Sequence, residues 1–455
     1  MVVGGGVAGA AAAIRMAHHG FDVHLAERAV FPREKVCGCC LGAAGLTALD
    51  AIGLGEPVRQ LGVRVDRFEG FFDPHGSASA AAPEIAGERS RSGFAISIRP
   101  GVAVSRAALD TTLLQAARRA GVHVDQPAEA CIVRDRLADG GGVWVRRRTA
   151  GDRSWRDGER FDLVVIATGL SGRFETSDHD SKIGHPVLPW RQPPAGPMGV
   201  AVHLPADSVW AKRWRIDPGA IQMICSDVGY VGIVRLPGGG LDVAAALDLR
   251  RRPKSPGRAG AAAKRQGRPK TLLGGPPWIE PLLRLVQGAG VLPAGEGADD
   301  ASFDDWCRRQ AVWMATPPLR RARCPGRDRV VAIGDAMRYV EPLTGEGMTW
   351  GIESGLAVAD CWAEWWSGAT GCRGAARSHD FGSVWTARAE SLQSSRRKTC
   401  DRVTRALRNR SVRLLVQWSL RRAPWLSYPL ATGLARGAAF PLTDRRGTAE
   451  ASVSN

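Results

Sequence analysis

Over the first 27 residues a short apolar run gives way to a glycine cluster, an alanine-rich stretch and a second apolar run. That order predicts a strand, a turn, a helix to about His19 capped by Gly20, and a strand over 21–26 ending at Glu27. Leu109, Leu113, Leu114 and Ala117 then recur at helical spacing within 105–120, and Gly121 stops that helix before a strand at 122–124. Residues 161–167, FDLVVIA, and 329–333, RVVAI, read as continuous buried strands that end on Thr168-Gly169 and Gly334-Asp335, and 348–363 reads as a helix. Strands alternating with helices predict an α/β unit with a parallel, doubly wound sheet.

Two stretches, 63–98 and 199–249, have a different texture: β-branched and aromatic residues broken by Pro and Gly, with Gly238-Gly239-Gly240 as a hairpin turn. They predict one antiparallel sheet built from two insertions. Residues 250–270 carry nine basic and no acidic residues and read as a mobile surface loop. The expected division is therefore a first unit assembled from 1–62, 99–184 and 326–366, and a β-rich substrate unit from 63–98 and 185–325. A helical region at 367–440 and a disordered tail at 441–455 follow.

Composition changes this picture little: of 455 residues 44% are hydrophobic and 24% charged, which is ordinary for a globular chain. The formal net charge of +17 bears on partners rather than fold. RSVRLLVQWSLRRAPW, 410–425, alternates basic and apolar positions and suits either a packed helical cap or an interfacial helix touching anionic membrane. No aromatic-basic constellation of a nucleic-acid module is visible, so nucleic acid is not an expected partner. Ten cysteines, mostly scattered singly in a long chain without a signal-peptide pattern, predict a reduced, cytoplasmic protein. Cys37-Gly38-Cys39-Cys40 packs three of them together. A zinc site needs four well-spaced ligands, and no second Cys or His pair supplies the other half, so no metal is expected. Cys37 and Cys40 stand as a C-x-x-C, which leaves a redox pair or a pocket wall open.

Three motifs carry the chemistry. Gly4-x-Gly6-x-x-Gly9, at a strand-to-helix junction, lets a pyrophosphate approach the helix N-terminus, and Glu27, eighteen residues past Gly9, is placed for ribose hydroxyls. The strand before Gly4 has only three residues, as if the true start lay upstream or the central strand were clipped. Arg106, opening its helix, is a second phosphate or ribose anchor. In VVAIGDAMRYVEPLTGEGMTWGIESG a strand delivers Gly334-Asp335, a carboxylate for ribityl hydroxyls, and the turn from Pro342 through Gly345, Glu346 and Gly347 starts a helix at Met348. The N–H groups of that helix suit the electron-rich edge of a flavin.

GGGVAG, ERAVFPREKVCG, VSRAALDTTLLQAARRAGV and GDAMRYVEPLTGEGM together resemble the FAD-dependent geranylgeranyl reductase family, within the p-hydroxybenzoate hydroxylase-like flavoproteins. The resemblance covers about 1–55, 99–170 and 320–365 and implies a Rossmann-like FAD-binding domain, an inserted β-rich substrate domain and a C-terminal helical region. It implies FAD contacts from Gly4, Gly6, Val7, Ala8, Gly9, Glu27 and Arg28, and from Lys35, Cys37 and Gly38 on the loop along the flavin. Arg106, Thr168, Gly169, Gly334, Asp335, Pro342, Gly345, Glu346, Gly347 and Met348 complete the set. Cys37 and Glu346 are the candidate catalytic groups. Ala167-Thr168-Gly169 replaces the hydroxylases' Asp-Gly, which leaves open whether NAD(P)H or an electron-donor protein supplies the electrons. The reductases' aromatic G-Y-x-W-x-F-P appears as GYVGIVR at 229–235, and the halogenases' W-x-W-x-I-P is missing. The expected activity is hydride transfer between FAD and an unsaturated, isoprenoid-like or other hydrophobic substrate. A monooxygenase is the alternative, and a flavoprotein that binds membrane or nucleic-acid surfaces through 250–270 and 388–422 is the third.

Overall fold

The computed structural model describes residues 1–72, 93–133, 142–149, 151–152, 154–171, 175–177, 187–251, 276–288, 303–339, 341, 343, 345–368, 380–392, 394–428 and 438–441. The short apolar runs assemble a six-stranded sheet in the order Gly326–Arg327, Val330–Ala332, Val164–Ile166, Val2–Val3, His24–Ala26 and His123–Asp125. All neighbours pair parallel except the first two. Helices cover the sheet, which is why its central strands are apolar at consecutive positions rather than alternately. The first helix, Val7–His18, lies against the long helix Gly347–Ser367. Ala10 to Ala13 are fully buried there, and a Cβ on Gly355 would stand 2.4 Å from the Ala8 carbonyl oxygen. This close approach is what the alanine and glycine content of both helices permits.

The helix anticipated at 105–120 is Arg106–Arg119, with the Ser105 hydroxyl accepting from Ala108 N at 3.1 Å as its N-cap. The run at 161–167 is not one strand. Only Val164–Ile166 joins the parallel sheet, whereas Glu159–Phe161 closes a separate four-stranded sheet with Val143–Thr149, Ala128–Val133 and Glu175–Ser177. The break falls at Asp162, the one charged residue of the run, which is exposed where the chain leaves one sheet for the other.

The β-rich region forms a nine-stranded sheet, and it corrects the wholly antiparallel expectation. Val63–Phe72 and Ala220–Cys225 run parallel, in register from Ala220 opposite Arg67 to Cys225 opposite Phe72. No hairpin joins these two strands, so nothing in the local sequence fixed their relative direction. The sheet also recruits Cys40–Leu41, Met314–Arg323 and Arg338–Tyr339 at its edges. The expected hairpin is present: Gly238 and Gly239 take φ of 79° and 94° between Gly229–Arg235 and Leu241–Leu247, a conformation that favours glycine. One sheet face packs Val200, Val202, Ile233 and Val243 against the helices Ile279–Gly288 and Phe303–Arg309.

Three C-terminal helices, Phe381–Leu392, Ser394–Leu407 and Arg410–Arg422, complete the α/β architecture. Buried ion pairs tie them down. Arg408 Nη2 donates to both oxygens of Glu341 at 2.6 and 2.7 Å, and Arg396 Nη1 donates to both of Glu353 at 2.7 and 2.9 Å. Most of the anticipated basic loop, 252–270, and all but Pro441 of the anticipated tail lie outside the described residues.

Candidate functional site

The parallel sheet and the open face of the β-rich sheet meet over a cavity of about 720 Å³. Its polar end is built by the glycine turn. Gly4 adopts φ of 108°, and a Cβ on Gly9 would lie 1.9 Å from the Gly4 carbonyl oxygen, so the first and third glycines let strand and helix touch. Gly6 differs. It is the N-cap of the first helix, makes no side-chain cap bond, and a Cβ there would meet only Arg106 Nη2 at 3.6 Å and Arg33 Nη2 at 3.9 Å. Two guanidinium groups thus flank an uncapped helix N-terminus, an arrangement complementary to a diphosphate. Arg106 is buried and held by Asp110 through bonds of 3.0 and 2.8 Å, which fixes its planar fork. Glu27 accepts from Gly5 N at 2.7 Å and from Ala29 N at 2.8 Å, and each oxygen keeps a lone pair for a ribose hydroxyl.

Further in, Lys35 and Asp335 face the cavity with Gly169, Gly345 and Met348. Burial lowers the Lys35 pKa and raises that of Asp335, and their opposite charges moderate both shifts. Gly334 adopts φ of 55°, and its N–H donates to Ser354 Oγ at 2.9 Å, which docks the strand end beside Ala8. Glu346 precedes the long helix and pairs with Arg396. Burial pushes its carboxyl up to about 7, with Arg396 opposing. Cys37 and Cys40 line the same wall. A hydrogen bond from the Cys39 thiol, helped by Arg106, brings Cys37 down to about 7 against its burial, and burial pushes Cys40 up to about 12.

Beyond these groups the cavity becomes an apolar chamber. Phe68, Phe72, Phe94 and Met223 from the β-rich sheet face Leu407, Val416 and Leu420 from the C-terminal helices. Small residues, Gly232 and Ala244 to Ala246, floor it. Leu415, Leu426 and Ser427 stand at its rim, beside the exposed Trp418, Trp425 and Tyr428.

The structure therefore gathers Gly6, Val7, Ala8, Lys35, Cys37, Gly38, Arg106, Gly169, Asp335, Gly345, Glu346, Gly347 and Met348 around one cavity. Gly4, Gly9, Glu27 and Gly334 do not line it; Gly9 and Gly334 adjoin the lining residues Ala8 and Asp335 in the chain. Thr168 lies between the lining residues Ala167 and Gly169, Arg28 is exposed and outside the lining, and Pro342 lies outside the described residues. The sequence did not single out Arg396, and it left the 410–425 helix open between a packed cap and an interfacial helix. No local pattern announces a residue brought in by a helix from the far end of the chain.

Residues 1–159 match the family described as FAD binding domain. Menaquinone reductase of Mycobacterium tuberculosis is 26% identical over 382 residues, 79% of this chain and 75% of that protein. The 3-hydroxybenzoate 6-hydroxylase of Klebsiella oxytoca is 42% identical over 66 residues, 14% of this chain and 17% of that protein. Among solved structures, a variant of the halogenase PltM in complex with FAD superposes with a TM-score of 0.63 at 14% identity, covering 95% of this chain and 81% of that one. At that identity the likeness is one of fold. The class defined by fold, cavity and relatives is the FAD-binding flavoenzymes. Within it, this chain is an FAD-dependent oxidoreductase of the reductase or monooxygenase kind.

Proposed function

We propose that the chain reduces a carbon–carbon double bond in a long, hydrophobic substrate of the isoprenoid or prenyl-quinone class. The observation that carries this reading is the continuity of one cavity from the diphosphate cradle to an apolar chamber with an exposed apolar rim. The likeness to menaquinone reductase and the resemblance to geranylgeranyl reductases support it. FAD, when bound, supplies hydride chemistry. The chain's own residues do the rest. Gly6, Arg33 and Arg106 would hold the diphosphate, Glu27 the ribose, and Lys35 and Asp335 the middle of the cofactor. Phe72, Phe94 and Met223 exclude water from the chamber. Glu346 holds a proton near neutral pH at the cavity wall and donates it as the bond is reduced.

Anaerobic mixing of the photoreduced protein with a prenylated quinone tests this. The expected product keeps two added hydrogens in its prenyl chain after the ring is reoxidised to the quinone, and a hydroxylated product in a parallel reaction with oxygen would instead establish the monooxygenase. Glu346 also sets a pH dependence. A raised carboxyl is protonated below pH about 7 and ionised above it, so substrate reduction falls above that pH in the parent. Glu346→Gln is slower and loses this limb, and an unchanged profile would remove Glu346 from the proton path.

The substrate class gives the rim a role. Leu415, Trp418, Trp425 and Tyr428 are 62%, 57%, 73% and 70% exposed, next to Arg421 and Arg422. No helix among the described residues is long and apolar enough to cross a membrane. An interfacial contact with anionic lipid would let a membrane-dissolved chain enter the chamber. Trp418→Glu with Trp425→Glu is expected to cut cosedimentation with anionic vesicles about tenfold or more, the loss of at least one buried aromatic. Parent-like cosedimentation would place the contact elsewhere.

A further inference from the structure

We propose that Cys39, His203 and Asp242 bind one divalent transition-metal ion of the Zn²⁺ class behind the loop that lines the cavity. His203 and Asp242 are directly opposite in the ladder between Trp190–Leu204 and Leu241–Leu247, so their side chains share one sheet face. Cys39 arrives from the other side, its backbone at φ of 45° and its side chain fully buried. Cys39 Sγ is 3.8 Å from His203 Nε2, Nε2 is 2.6 Å from Asp242 Oδ1, and the three donor atoms all lie within 4.8 Å of one another.

Two independent features point to an ion at their meeting point. The Asp242 carboxylate is fully buried; its neighbours are the His203 imidazole, with Nε2 2.6 Å from Oδ1, and the Cys39 thiol, and neither oxygen receives a well-aligned hydrogen bond from them. A buried carboxylate left so is costly, and a cation is what offsets it. Secondly, Glu34 Oε2 sits 3.0 Å from His203 Nδ1. A proton shared there leaves Nε2 with its lone pair facing Cys39 and close to Asp242 Oδ1, the outer-shell arrangement of carboxylate-oriented metal histidines. One sulfur, one imidazole nitrogen and one carboxylate oxygen favour Zn²⁺ over Mg²⁺ or Ca²⁺, and the second Asp242 oxygen or a water completes the four-coordinate shell.

Glu34, His203 and Cys39 also have the connectivity of a nucleophile triad, but the full burial of Cys39 closes the sulfur to any substrate. A bare ion needs no such opening. Bound there, it ties the 34–40 loop to the β-rich sheet and so positions Cys37 and Lys35, which face the cavity from that loop. The sequence hid this site because its ligands are 164 residues apart at Cys39 and His203.

The test uses the full FAD-loaded chain, freed of any affinity tag, stripped with a chelator, exposed to equimolar Zn²⁺ and desalted. Elemental mass spectrometry is expected to find about one ion per chain. X-ray absorption at the zinc edge is expected to show a sulfur scatterer at about 2.3 Å. Cys39→Ser, His203→Gln and the isosteric Asp242→Asn should each lower retention at least tenfold, and Glu34→Gln about tenfold. Retained FAD colour and helical circular dichroism show that each variant is folded. Should Cys39→Ser fail that check, Asp242→Asn and the sulfur signal of the parent decide. A second trio, Asp22, His24 and His123, lies at the surface, so His123→Ala is the control and is expected to keep the ion. No retained zinc in the parent, equal retention in the three ligand variants, loss in His123→Ala or an edge spectrum without sulfur would each overturn the proposal.

Discussion

Replacing Gly6 with Glu is expected to yield a folded protein that purifies without yellow colour. Gly6 has φ of −71°, open to any residue, and a Cβ there meets nothing closer than the Arg106 guanidinium at 3.6 Å. The new carboxylate would pair with Arg106 and Arg33 at the helix N-terminus, the proposed seat of the diphosphate. Loss of FAD affinity by about 100-fold or more, ~2.8 kcal/mol, follows from replacing an attracted anion by a resident one. Gly9→Ala provides the contrast. Its methyl would stand 1.9 Å from the Gly4 carbonyl oxygen, so it damages the strand–helix packing itself and lowers yield and melting temperature. Fluorescence titration with FAD and thermal unfolding separate the two outcomes. If Gly6→Glu binds FAD like the parent, the cradle does not hold the diphosphate.

Arg396→Met should be among the most destabilising single changes outside the sheet core. The guanidinium satisfies Glu353, whose side chain is 0% exposed, and Glu346, 8% exposed, and it anchors Ser394–Leu407 over the cavity. Removing one partner of a buried ion pair typically costs about 3–5 kcal/mol, because the remaining charge keeps its desolvation penalty. Denaturant unfolding monitored by circular dichroism gives the number. Adding Glu353→Gln to Arg396→Met should recover part of the loss, since the stranded charge is then gone. A cost below about 1 kcal/mol for the single change would mean that solvent reaches these carboxylates.

The nucleotide-binding half was largely legible. Its glycines and its short apolar strands with Leu109, Leu113 and Leu114 are local patterns, and each was realised close to where the pattern placed it. Thr168, Gly169, Gly334 and Asp335 follow strand ends, so once the strands were right these residues fell beside the cavity. The β-rich sheet was less so. Its strands were recognisable, but the parallel pairing of Val63–Phe72 with Ala220–Cys225 joins segments with no turn between them. The break between Glu159–Phe161 and Val164–Ile166 falls at Asp162, a single charged residue inside an otherwise apolar run, too short a signal to separate two strands.

What the sequence determined by itself is the tight turn from the first strand into the first helix, because its glycines encode that geometry within some ten residues. Tertiary structure alone decided the wall and depth of the chamber, the Arg396 and Arg408 clamps, and the meeting of Cys39 with His203 and Asp242. Each of those depends on side chains from distant segments meeting in space. Backbone propensity and hydrophobic period act over one turn or one pleat, and neither specifies which distant face a buried charge will find.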